Sequence, residues 1–122
     1  MIKTILLIGD DFKNLVLIKI NLQSIVSWKI FITDSISEAI FEAYIKPPDV
    51  ILLDINVPRA NMVKVVFILR KNSTTKHIPI IIFMDRPWEI SERGCIHFGI
   101  KGIISKPFDR LTLLDQIIQT VN

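Results

Sequence analysis

The stretch Pro48-Asp49-Val50-Ile51-Leu52-Leu53-Asp54-Ile55-Asn56-Val57-Pro58 decides the fold. Val50 to Leu53 is a short apolar run, bracketed by prolines and closed by an aspartate. A run of this kind reads as a strand covered on both faces, the form that parallel strands take in sequence. Three others share its character: Thr4 to Ile8, Ile80 to Met84 and Gly102 to Ile104. Trp28 to Thr33 alternates more and suits an edge strand. Helical spacing fills the gaps, over Leu15 to Ser24, Ser37 to Ile45, Met62 to Lys71, Pro87 to Phe98 and Leu111 to Val121. Five strands in strict alternation with five helices require right-handed crossovers, and so an α/β fold with a doubly wound parallel sheet.

Local punctuation agrees with these boundaries. Asp34 or Ser35 is suited to cap the second helix, and Pro47-Pro48 ends it, because proline lacks an amide hydrogen and disfavours helix in the residue before it. Pro79 opens the fourth strand, where proline is tolerated. Pro87 suits a first helical turn. Gly99 stops the fourth helix, and Asp109 is placed to cap the fifth.

Composition narrows the function. At 122 residues, half of them hydrophobic, the chain reads as a single domain over 1–122 with a continuous core and no second folding unit. The apolar runs fall well short of the roughly twenty residues that span a bilayer, and the first one ends in two aspartates rather than a cleavage site. No membrane association and no signal peptide are expected. The lone Cys95 reads as a buried helix residue and fits a reducing, cytoplasmic compartment. The net charge of +3 is scattered along the chain rather than clustered, and no further domain supplies a recognition helix, so DNA is not expected as a partner.

In open sheets of this class, ligands bind beyond the carboxyl ends of the strands. Those ends carry Gly9-Asp10-Asp11, Asp54, Met84-Asp85 and Ser105-Lys106-Pro107. Carboxylates brought together repel, and each then holds a proton or binds a cation. Magnesium suits them as a hard ion that takes one or two carboxylates and a phosphate oxygen. Asp10, Asp11 and Asp54 are the candidate carboxylate ligands, directly or through water, with the backbone carbonyl of Asn56 as another. Lys106 adds positive charge on the opposite side. Cation and ammonium together would stabilise a phosphoryl group moving onto a carboxylate oxygen. Asp54 stands alone and central, which marks it as the acceptor, whereas the tandem pair is better suited to metal. Taken singly, Asp11 reads as a helix cap.

The ordered set Leu-Leu-Ile-Gly-Asp10-Asp11, Pro48 to Pro58, Ile78-Pro79-Ile-Ile-Ile and Gly99-Ile-Lys-Gly-Ile-Ile-Ser-Lys106-Pro107-Phe108 resembles the receiver domain of two-component response regulators, of the single-domain chemotaxis-regulator kind. The resemblance covers essentially the whole chain. It implies a flavodoxin-like sheet in order 2-1-3-4-5 and a cis peptide before Pro107. At the site it implies Mg2+ at Asp10 or Asp11 with Asp54, phosphorylation of Asp54, and Lys106 on the phosphoryl group. The implied partners are a histidine kinase or phosphotransfer protein and an unknown downstream protein; the implied role is signalling rather than enzymatic.

Departures from the family pattern fall in the switch. Met84 replaces the usual Ser or Thr at the end of the fourth strand, Asp85 replaces a small residue, Ile103 replaces the inward-rotating aromatic, and Met62 stands where a glycine is usual. Methionine cannot donate a hydrogen bond to a phosphoryl oxygen. Asp85 either adds opposing charge at the site or turns outward as a loop or cap residue. An intact metal site joined to an atypical or silent switch is therefore expected.

Two rival readings fit parts of this pattern. A pseudo-receiver, an interaction module independent of phosphorylation, fits Met84, Asp85 and Ile103. A flavodoxin-like cofactor binder would need a phosphate cradle after the first strand, where Gly9-Asp10-Asp11-Phe12 would instead repel phosphate without a metal. The first helix is apolar on more than one face, which reads either as a partner or homodimer surface or as heavy cover by the sheet. His77 and His97 read as surface or structural residues, and Trp88 as a packing residue or a partner contact.

Overall fold

The computed structural model describes the backbone of residues 1–54, 59–85 and 91–122; the side chains of 59–62 and 92 lie outside the description. Within those residues the order is β1 (Thr4–Ile8), α1 (Phe12–Gln23), β2 (Lys29–Thr33), α2 (Ile36–Ile45), β3 (Val50–Asp54), α3 (Arg59–Lys71), β4 (Ile80–Met84), α4 (Glu92–Phe98), β5 (Gly102–Ser105) and α5 (Arg110–Val121). All neighbouring strands are parallel, in order β2-β1-β3-β4-β5.

β3 lies at the centre, with Ile8 opposite Leu53 on β1 and Asp54 opposite Phe83 on β4. Alternation along the strands divides the core into two layers. Leu6, Ile8, Ile51, Leu53, Ile80, Ile82 and Met84 pack with α2 and α3 on one face, where Cys95 and Phe98 of α4 join them half-buried. Ile5, Leu7, Val50, Leu52, Ile81 and Phe83 pack with α1 and α5 on the other. All five side chains of β3 and all five of β4 are buried, which is why these strands read as unbroken apolar runs.

The starts of α1, α2, α3 and α5 differ from the sequence reading by one to three residues, since caps rather than the first apolar residue set the first turn. Asp11 accepts from the Asn14 amide, so α1 begins at Phe12. Ser35, rather than Asp34, caps α2, and Asp109 caps α5. Ser91 caps α4, whose expected start at Pro87 lies outside the described residues. Gly99 ends α4 in the left-handed region at φ 69°, a conformation that glycine adopts without strain.

Two side chains tie the amino end of the sheet to its surroundings. Asp49 accepts from the backbone amides of Lys3 (2.7 Å) and Thr4 (2.9 Å), joining the approach to β3 to β1. Burial alone would push its carboxyl up, but these amides and the Thr4 hydroxyl outweigh that and hold it below the usual carboxylate range. Arg70, near the end of α3, donates to the carbonyls of Lys76 and Gly99, both at 2.8 Å.

Candidate functional site at the carboxyl end of the sheet

Asp54 is the last residue of β3 and only 2% exposed. By strand alternation its side chain shares the face of Leu52, toward α1 and α5. Two donors reach it there. Lys106 Nζ forms an ion pair with Oδ1, and Asn14 Nδ2 donates to Oδ2 at 2.6 Å. A buried carboxylate needs this company, since an unpaired charge in such a place would be costly to desolvate.

Each partner is positioned by local structure. Lys106 follows β5, its backbone amide donates to the Met84 carbonyl at 2.9 Å, and the Lys106–Pro107 peptide is cis, as the resemblance implied. Phe108 then packs on Phe83 with ring centroids 5.1 Å apart, anchoring the loop that carries the lysine. Asn14 stands in the first turn of α1, three residues after the Asp11 cap.

Gly9 links the two strands. A Cβ there would stand 2.9 Å from Leu15 Cδ2 and 3.1 Å from Asp54 Cβ, so the bare backbone is what lets β1, α1 and the Asp54 side chain approach one another.

Asp10 and Asp11 are exposed beside this carboxylate, with Asp11 engaged as the α1 cap. Asn56 lies outside the described residues. Among the described residues no three His, Cys, Asp or Glu side chains are grouped as cation ligands. Asp54 holds one nitrogen donor on each oxygen, Lys106 Nζ on Oδ1 and Asn14 Nδ2 on Oδ2. The chemistry of the donor set, two accessible carboxylates at the neighbouring strand end, still fits a hard divalent ion such as Mg2+.

Met84 and Ile103 lie away from Asp54, whereas Asp85 opens onto the same cleft as the two donors to Asp54. The Met84 side chain is buried among apolar residues on the opposite face of the sheet, and Ile103 packs half-buried against the same cluster. Asp85 is exposed, and with Asn14, Lys106 and Phe108 it lines an open cleft of about 430 Å³ running between α1 and the start of α5. It is not the α4 cap, which is Ser91. His77 and His97 are exposed, and neither reaches the site.

Residues 5–118 match the family model of the response regulator receiver domain. The chain belongs to that family. Solved structures agree on the fold of this receiver. It superposes on a chemotaxis response regulator of Vibrio cholerae, CheY4, with a TM-score of 0.83 at 23% identity, covering 98% of this chain and 99% of that one. The receiver domain of a sensor histidine kinase from Pseudomonas aeruginosa, described with a magnesium ion coordinated in its active-site cleft, gives 0.83 at 21% identity over 99% and 98% of the two chains. A response regulator from Desulfuromonas acetoxidans gives 0.82 at 23% identity, over 98% and 96%. Among the described residues of this receiver, no helix is long and apolar enough to cross a membrane.

Asn14 is the site residue that the sequence reading missed. It follows no strand and belongs to no acidic run. Its one trace in the sequence is an amide side chain one turn into the helix that follows the tandem aspartates.

Proposed function

We propose that the whole chain, 1–122, is one cytoplasmic receiver domain that accepts a phosphoryl group on Asp54 from a histidine kinase or phosphotransfer protein. The supporting observation is the buried Asp54 carboxylate at the end of the central strand, held by the Lys106 ammonium and the Asn14 amide. In the transfer, the P–N bond of a donor phosphoimidazolium, protonated on its other ring nitrogen, breaks as a P–O bond to a carboxylate oxygen forms, and neutral imidazole leaves with the P–N electron pair. Lys106 shifts its contact from the free carboxylate to the incoming charge. Asn14 holds the carboxylate plane fixed, so that one oxygen is presented without a search over rotamers.

Asp10 and Asp11, with Asp54 and the carbonyl of Asn56, would hold Mg2+, which supplies positive charge against the phosphoryl oxygens. Output then passes by protein contact to a downstream partner, and the domain does not act as an enzyme on a further substrate. Met84, Asp85 and Ile103 make the switch atypical: Met84 is buried in the core, Ile103 packs half-buried against it, and Asp85 offers a negative charge where receivers usually carry a small residue.

The test is incubation with labelled acetyl phosphate and Mg2+. Wild type takes up one acid-stable, base-labile phosphate, and Asp54→Asn takes up none. With beryllofluoride, amide chemical shifts move around Asp54 and Lys106 but little along α4. A large rearrangement of α4 would overturn the atypical-switch part alone. The burial of Met84 favours a second reading, a pseudo-receiver that binds partners without phosphate. Absence of label on wild type, with its partner binding unchanged, would select it.

A further inference from the structure

α2 is built the wrong way round for a helix that ends at solvent. Its inner face is the pair of small residues Ala39 and Ala43, which are fully buried against the sheet. Phe41 lies about 180° around the helix from the midpoint of that pair. It is 60% exposed, and Tyr44 (54%) and Ile45 (52%) flank it. Phe31 on the edge strand β2 and Phe67 on α3 are also exposed. A surface helix normally turns polar residues outward, and a helix apolar on all sides is normally covered.

The charges around this stripe indicate what covers it. Glu42 and the C-cap Lys46 line one groove beside β2 together with Lys29, and the exposed Glu38 lies one turn before Glu42. Acid toward the amino end and base at the carboxyl end make the flank complementary to itself run in reverse. A twofold axis across the stripe near residues 43–44 would set two α2 helices antiparallel, Phe41 of one against Ile45 of the other. The Glu42 flank of each copy would then meet Lys46 of its mate. α1 also exposes apolar residues, Leu17 and Ile20, but it holds no acidic residue and so lacks this self-complementary pattern.

We propose that the outer face of α2 is a homodimer interface, occupied by α2 of a second copy of this chain in antiparallel register. The surface lies apart from the acceptor site and does not depend on phosphorylation.

Sedimentation equilibrium on the full chain tests it. Wild type is expected to be a dimer at tens of micromolar. Phe41→Glu should weaken association at least ~30-fold, as loss of a central aromatic contact does, with an unchanged far-UV spectrum. Leu17→Glu should leave the dimer intact. Lys46→Glu should weaken it and Glu42→Lys added to Lys46→Glu should restore it, which misfolding would not produce. A wild-type chain that stays monomeric at ~1 mM, a dimer indifferent to Phe41→Glu, or a dimer broken by Leu17→Glu instead would overturn the proposal.

Discussion

The rim of this sheet has two halves of different character. Around β1, β3 and the residue after β5, polar side chains converge: Asp54 is buried with Lys106 and Asn14 on its two oxygens. Around the ends of β4 and β5, the side chains are apolar or turn to solvent. Met84 and Ile103 join the hydrophobic layer beneath α3 and α4, and Asp85 stands in solvent. The contrast teaches that holding a buried charge and transmitting its state are separable tasks. The first needs donors within hydrogen-bond reach, and this chain supplies them. In the other half, Met84 and Ile103 are held by packing in the apolar layer.

Substitutions in the two halves should therefore fail differently. Lys106→Met has the largest expected effect on stability, about 3 kcal/mol in urea unfolding, because Asp54 is left as a buried charge without its cation. A loss below about 1 kcal/mol would mean that the carboxylate is solvated after all. Met84→Thr should cost about 2 kcal/mol through lost packing, while label uptake at Asp54 continues. Abolished labelling would erase the distinction between the halves.

Asn14→Ala ranks next, at about 1.5 kcal/mol for one hydrogen bond to a charged group. It should also tighten Mg2+ binding in calorimetric titration, since Oδ2 is released from its donor. Weaker Mg2+ binding would show that Asn14 serves the cation rather than competing with it.

The smallest effect is expected far from the rim, at Asp49. Its folded-state carboxyl titrates below the ordinary value, so its contribution to stability is complete above the unfolded pKa and is lost as pH falls through the folded one. Asp49 is exposed and screened by solvent, so the amount is small. Asp49→Asn should lower the melting temperature slightly at neutral pH, and the difference should vanish in acid. A gap that widens in acid would refute the assignment.

Much of this was legible in the sequence because of how parallel sheets advertise themselves. Strands buried on both faces leave uninterrupted apolar runs, and an aspartate or lysine at the end of such a run has one place to go. Asp54 and Lys106, 52 residues apart, were paired on that ground alone. Asn14 was not, since a side chain in the first turn of a helix is aimed by the cap and the crossing of α1 over the sheet, which no local pattern records. The outer stripe of α2 also escaped notice. Ser37-Glu38-Ala39-Ile40-Phe41-Glu42-Ala43-Tyr44 fits helical spacing with either face inward, and the choice fell to the alanines because a close sheet contact admits them and excludes Phe41.

Arg70 sets a mechanical limit at the opposite pole from the acceptor. Its two nitrogens grip the carbonyls that follow α3 and α4, so sliding α4 along the sheet would break a charged contact, whereas swinging it would not. A displacement of Gly99 along the sheet would therefore cost a hydrogen bond to a charged group, which ties the carboxyl end of α4 to α3.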